Sequence, residues 1–224
     1  MSAVSPGSGP ATHHEFFAGL RDAQVAFLVT GAVALVLHGV PRLVPEIELA
    51  VDPDPANLAR LERRLALWGY GEPGPPATDA DGAPVRRFRH PLAALAALDA
   101  VLPAAGEYAR LRAGAAAVSL VDLEIPLVGA DDLRARLERS GAAADREDAA
   151  ALRLAAALRA GEACGADDET RREQIRKFSR WSVAARLDWL LAAARLGRGL
   201  APEARPMTRG LVRRRGWGGG RRAP

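Results

Sequence analysis

The sequence predicts an α+β fold: a small mixed β-sheet with helices mainly on one face, followed by a helical C-terminal extension. Three observations carry this prediction. Residues 25–52, VAFLVTGAVALVLHGVPRLVPEIELAVD, read as a strand, a glycine turn, a buried helix and a second strand. Residues 85–160 alternate short apolar runs with amphipathic stretches, and residues 169–196 carry only helical periodicity.

The first unit is the most informative. Val25–Val29 is an apolar, β-branched run that Thr30-Gly31 interrupts. The following AVALVLH is apolar on nearly every side, as a buried helix must be, and Gly39 and Pro41 end it. Glu46 to Val51 then reads as a strand on which Glu46 and Glu48 share a face, because side chains alternate with period two. Such a unit suits phosphate at the helix start and a divalent metal beside it. The plainer reading is a solvated strand face and a tight turn that needs glycine.

Taken in order, residues 1–12 are Ser/Gly/Pro/Ala-rich and are expected to be disordered. His14–Gln24 predicts a helix with Thr12 as N-cap, and Asp52-Pro53-Asp54-Pro55 predicts a turn opening a helix over 56–68. Gly71–Pro84 has no regular pattern, Val85–Arg89 reads as an edge strand, and Leu95–Leu102, around Asp99, as a central one. Glu107–Gly114 predicts a short helix. Val118–Val128 predicts two short strands or one bent strand, with Pro126 favouring an edge or a strand end. Helices follow over Asp131–Ser140, closed by Gly141, and from an Asp145 cap to Ala160. A last pair spans 169–178 and 183–196, the second capped by Ser182 and stopped by Gly197. The expected organisation is therefore a domain over 13–162, an extension over 168–197 and a disordered basic tail over 200–224.

Composition sets bounds. A chain of 224 residues suits one domain, or one with an appendage. The seven arginines of residues 205–224 exceed the net charge of +4, so the preceding body is net acidic. That tail, with Trp217 among glycines, fits an RNA contact through charge and stacking; the plainer reading is an arginine-biased composition in which Lys177 is the sole lysine. A single cysteine, Cys164, leaves no internal disulfide and suits a reducing compartment. With no secretory signal and no apolar run long enough for a bilayer, the chain is expected to be cytoplasmic and to have no membrane partner. There is no P-loop and no Cys-x-x-Cys pair.

Gly31-Ala32, His38-Gly39, Arg42 and Glu46-Ile47-Glu48 stand in the order and spacing of a known signature. The chain resembles the nucleotidyltransferase superfamily that includes DNA polymerase β, and within it the small bacterial minimal and abortive-infection-type members. Those carry Gly-Gly or Gly-Ser, a short helix ending in His-Gly, an Arg, and Asp-hydrophobic-Asp on a strand. Here Ala32 replaces the second Gly or Ser, Val44 a usual Thr, and both aspartates are glutamates. A second block fits the same family: Asp99 on a strand, Asp132-Leu133, Ser140-Gly141 and Asp145-Arg146-Glu147-Asp148. Leu137, Ala142 and Ala144 stand where the family has lysine or arginine. The resemblance covers roughly residues 14–160.

The resemblance implies a nucleotidyltransferase-like fold with Mg2+ held by Glu46, Glu48 and Asp99, the last also a candidate base. It implies nucleotide binding through Gly31, Ala32 and Arg42. The implied activity is transfer of a nucleoside monophosphate from Mg-NTP, ATP foremost, to a protein or RNA hydroxyl. Two-metal chemistry needs closely placed acidic ligands, and a misplacement near ~1 Å costs about a hundredfold in rate. The Asp-to-Glu changes therefore predict weakened activity. The alternative is a non-catalytic descendant that binds a partner or nucleotide, as in a toxin–antitoxin or defence pair. For His38 the plain expectation is a satisfied core histidine, and for Arg42 an incidental arginine.

Overall fold

The computed structural model describes residues 9–43, 46–91, 95, 97–162 and 169–199, with side chains through 196. Val44, Cys164, the first eight residues and the 200–224 tail, with the expectations attached to them, lie outside the described residues. Among the described residues the architecture is α+β: eight helices and one open, mixed sheet of seven strands in the order β3-β4-β5-β2-β1-β7-β6.

Chain order explains that sheet. Helix α1 (His13–Asp22), capped by the Thr12 hydroxyl, leads into β1 (Phe27–Thr30), the buried helix α2 (Gly31–Leu37) and β2 (Ile47–Val51). β2 returns antiparallel to β1, with Thr30 opposite Glu48. Helix α3 (Pro55–Leu67) follows, its N-terminal amides capped by Asp54 and its first position taken by proline. Strands β3 (Ala77–Thr78), β4 (Pro84–Arg89) and β5 (Ala97–Val101) complete one side, and β5 lies parallel to β2 with Asp99 opposite Glu48. Helix α4 (Ala105–Ala113), β6 (Ala116–Leu120) and β7 (Leu123–Leu127) form the other side, followed by α5 (Ala130–Ser140) and α6 (Ala143–Ala160). Helices α7 (Glu169–Ser179) and α8 (Val183–Gly199) make the extension.

The sheet is larger than the small sheet that the patterning suggests. The stretch 118–128 forms two strands, β6 and β7, and a further strand, β3, lies in the stretch read as a patternless loop and is only two residues long, too short to show periodicity. Because β3 flanks it, β4 is not an edge strand. Pro126 lies in an interior strand, β7, rather than at an edge. Glu46 precedes β2 instead of lying on it. The α6 cap is Ala142, without a side-chain bond, while Asp145 sits in the first turn and accepts the Ser140 hydroxyl. Gly197 does not stop α8, which runs on to Gly199.

Two packing features hold the central unit. Phe16, Phe17, Phe27 and Trp68 form an aromatic cluster under α1, and a methyl group at Gly19 would come within 2.3 Å of the Trp68 ring. Asn57, buried on α3, accepts the Ala26 N–H and donates to the Ala26 and Asp52 carbonyls, tying the start of β1 to the end of β2. The extension shares this core: Ile175, Phe178, Leu187 and Leu190 join the same buried cluster, and Arg186 donates to the Leu37 carbonyl at the end of α2.

His13 is buried in α1, and burial pushes its pKa from 6.5 down to about 4. A folded-state pKa below the unfolded one means that protonation favours unfolding, so stability falls between pH 6.5 and 4. Wild type should lose about 2 kcal/mol more than His13→Leu between pH 7 and pH 4.5 in urea unfolding. Equal losses would show that His13 does not titrate in this way.

Candidate functional site

The antiparallel β1–β2 register and the parallel β2–β5 register place Thr30, Glu48 and Asp99 in one row across the sheet, with Arg87 of β4 next. Residues opposite one another in register share a face, and neighbouring strands lie about 4.8 Å apart. Glu48 and Asp99 therefore lie side by side on one face of the sheet, the placement that the resemblance implies. Gly31 begins α2 immediately beside them. Its φ is +59°, and a methyl group there would approach the Glu48 Cβ and carboxylate to 3.0 Å. Both the backbone angle and the contact require glycine at this position.

The other candidates are placed elsewhere. Glu46 is exposed and stands one residue ahead of β2 rather than on it. Ala32 packs partly buried against the core. Arg42 ion-pairs with Asp148 of α6 at 3.2 Å. Burial raises the Asp148 pKa, and Arg42 opposes that rise. His38 is buried, with Nε2 at 2.9 Å from the Val128 carbonyl oxygen, and burial lowers its pKa. It is the satisfied core histidine.

What fills the space over the row is an arginine. Arg136 of α5 donates to the Thr30 hydroxyl at 3.0 Å, to Glu48 Oε1 at 2.6 Å and to Asp79 Oδ2 at 3.2 Å. Asp79 and Asp81 belong to the turn between β3 and β4. Asp79 Oδ1 accepts the Asp81 and Ala83 N–H groups, which shapes the turn and leaves Oδ2 for Arg136. Arg139, one helical turn beyond Arg136, grips both oxygens of Asp81 at 2.9 and 3.1 Å. Asp99 is held in turn by Arg89 at 2.9 Å and Arg87 at 3.3 Å.

Four carboxylates thus meet four guanidinium groups, and the cluster is neutral without any bound ion. Burial works against the charge of Arg136, but Glu48, Asp79 and Asp81 outweigh it and hold its pKa above the ordinary arginine value. The Arg139 hydrogen bonds hold the Asp81 carboxyl below the usual range. Sequence reading misses Arg136, Arg139, Asp79 and Asp81. The Asp79-Ala80-Asp81-Gly82 turn is a legible signal, but the helix it meets is not. Leu137, where the resemblance would place a lysine, packs against the core, and Arg136 precedes it.

Magnesium does not fit this arrangement. It requires near-octahedral oxygen ligation at ~2.0–2.1 Å. Here Glu48 Oε1 and both Asp99 oxygens already face guanidinium nitrogens. Among the described residues no group of three or more His, Cys, Asp or Glu side chains is placed to hold a metal ion. Nor is any described helix long and apolar enough to cross a membrane. In comparisons with known proteins, no family model matches the chain, and no curated protein matches it.

Removing Arg136 strands Glu48 and Asp79, whose side chains retain 27% and 9% of their exposure. Breaking a fully buried pair costs about 3–5 kcal/mol, so Arg136→Met should cost about 2 kcal/mol at this partial exposure. Adding Glu48→Met should restore part of that loss. Urea unfolding that finds Arg136→Met as stable as wild type would show that the contact contributes nothing.

Proposed function

We propose that this chain is a nucleotidyltransferase-like protein that does not transfer nucleotides and works by binding a protein partner, as in a toxin–antitoxin or defence pair. The observation that carries this reading is the Arg136 guanidinium bound at once to Glu48, Thr30 and Asp79. A guanidinium is a fixed monovalent donor. It neutralises carboxylates as a metal would, but it carries one charge and cannot coordinate and activate a hydroxyl oxygen as a divalent Lewis acid does, and it neither accepts nor releases a proton at neutral pH. The implied nucleotide contacts are weakened in parallel. Arg42 is committed to Asp148, and Ala32 offers no hydroxyl. Asp99, the implied base, accepts from Arg89 and ion-pairs with Arg87. A macromolecular partner is therefore favoured over a nucleotide.

The β1–α2–β2 unit, with β5 parallel to β2 and Asp99 opposite Glu48, supports the nucleotidyltransferase-like part of the reading. The same register supports a second reading, a weakened enzyme, since Glu48 and Asp99 still lie side by side on one face of the sheet. Incubation with magnesium and α-labelled NTPs, with cell RNA and protein as acceptors, separates the two. The expected result is no transfer by wild type, and none by Glu48→Asp. Labelled product that Asp99→Asn abolishes would overturn the non-catalytic reading in favour of the enzyme.

A further inference from the structure

A second concave feature lies at the other end of β1. Strands β1 and β7 run parallel but are registered at one position, Val29 opposite Leu127. The Val128 N–H donates to the Val29 carbonyl, so on β7 the amides of even-numbered residues point at β1. The next such position toward the start of the strands is Pro126, which has no N–H to offer the Phe27 carbonyl. Pairing ends there and the strands part. The proline that reads as a strand-end signal thus opens the interior of the sheet.

The gap is a cleft of about 480 Å³, within the range of small-molecule sites. Its apolar wall includes Phe17, Phe27, Leu123 and Pro126, and α4 contributes Tyr108 and Arg112. Tyr108 is only 6% exposed, yet its hydroxyl has no hydrogen-bond partner. Buried hydroxyls are almost always satisfied, so this one marks a place where an acceptor belongs. Burial raises the Tyr108 pKa, the charge and close approach of Arg112 oppose that rise and the Asp52 carboxylate adds to it, so the phenol keeps its proton at neutral pH.

The other charged groups of the cleft are engaged. Arg21 donates twice to Asp22, Glu124 accepts the Ser119 hydroxyl, and Asp52 accepts the Asp54 N–H. Arg112 makes no ion pair among the described residues. Asp52 and Glu124 keep their charge but have their donors; the donors left without a partner are the Arg112 guanidinium and the Tyr108 phenol, above an aromatic and aliphatic wall.

We propose that the cleft between β1 and β7 binds a small aromatic carboxylate, its ring against Phe17, Phe27 and Pro126 and its carboxylate on Arg112 and the Tyr108 hydroxyl. The site lies at the opposite end of β1 from Thr30 and Glu48, and does not depend on how the carboxylate row is read. Titrating the full chain with 2-naphthoate, by calorimetry and by amide shifts, tests it. Saturable binding is expected, with shifts at Phe27, Tyr108 and Leu123. Arg112→Gln should weaken binding about tenfold, and the uncharged 2-naphthylmethanol should bind wild type weaker by a similar factor. Tyr108→Phe should weaken it by less and leave the melting temperature unchanged or raised. Absence of saturable binding, or equal affinity in a folded Arg112→Gln protein, would overturn the proposal.

Discussion

The contact on which the site depends is the Arg136 guanidinium lodged between Glu48 and Asp79. Glu48 alone, half-buried on an interior strand and pressed against Gly31, would be an uncompensated charge beside a helix start. The arginine solves this from across the fold. It also fastens α5 to the turn between β3 and β4, because Asp79 shapes that turn with one oxygen and receives Arg136 with the other. Arg139 repeats the device on Asp81 one turn along the same helix. A sheet row, a helix and a hairpin turn are thereby held as one electrostatic unit. Such a unit is specific in geometry even where its net contribution to stability is modest.

The central unit of the fold was legible because its signals are local. The apolar run of β1, the Gly31 break, the all-apolar α2 and the strand alternation after Glu46 are decided by neighbours in sequence. Helix caps at Thr12, Asp54 and Ser182 are equally local, and each is made as its residue type leads one to expect. The register of Glu48 with Asp99 was open to inference only through the resemblance. Strand β3 and the interior position of β7 were not legible, since a two-residue strand has no period and strand order is a long-range property.

The site divides in the same way. Gly31, Glu48 and Asp99 could be singled out from spacing and resemblance, and they do lie together. Their partners could not. In a chain whose basic residues are nearly all arginine, no single arginine stands out, and Arg136 meets Thr30 across 106 residues and Glu48 across 88. Glu46 was assigned to the strand by alternation, but the strand begins one residue later. Arg42 has the right spacing for a phosphate contact, yet its partner, Asp148, comes from a helix whose approach no local pattern predicts.

On the reading proposed above, the Arg136 guanidinium stands over the carboxylate row where a metal ion would otherwise bind. Paramagnetic relaxation by Mn2+ tests it most directly, because broadening reports metal proximity whether or not any reaction occurs. Amide signals of Gly31, Glu48 and Asp99 in the wild-type protein are expected to broaden no more than those of the surface at large as Mn2+ is added. Selective, saturable broadening at these three residues would contradict it.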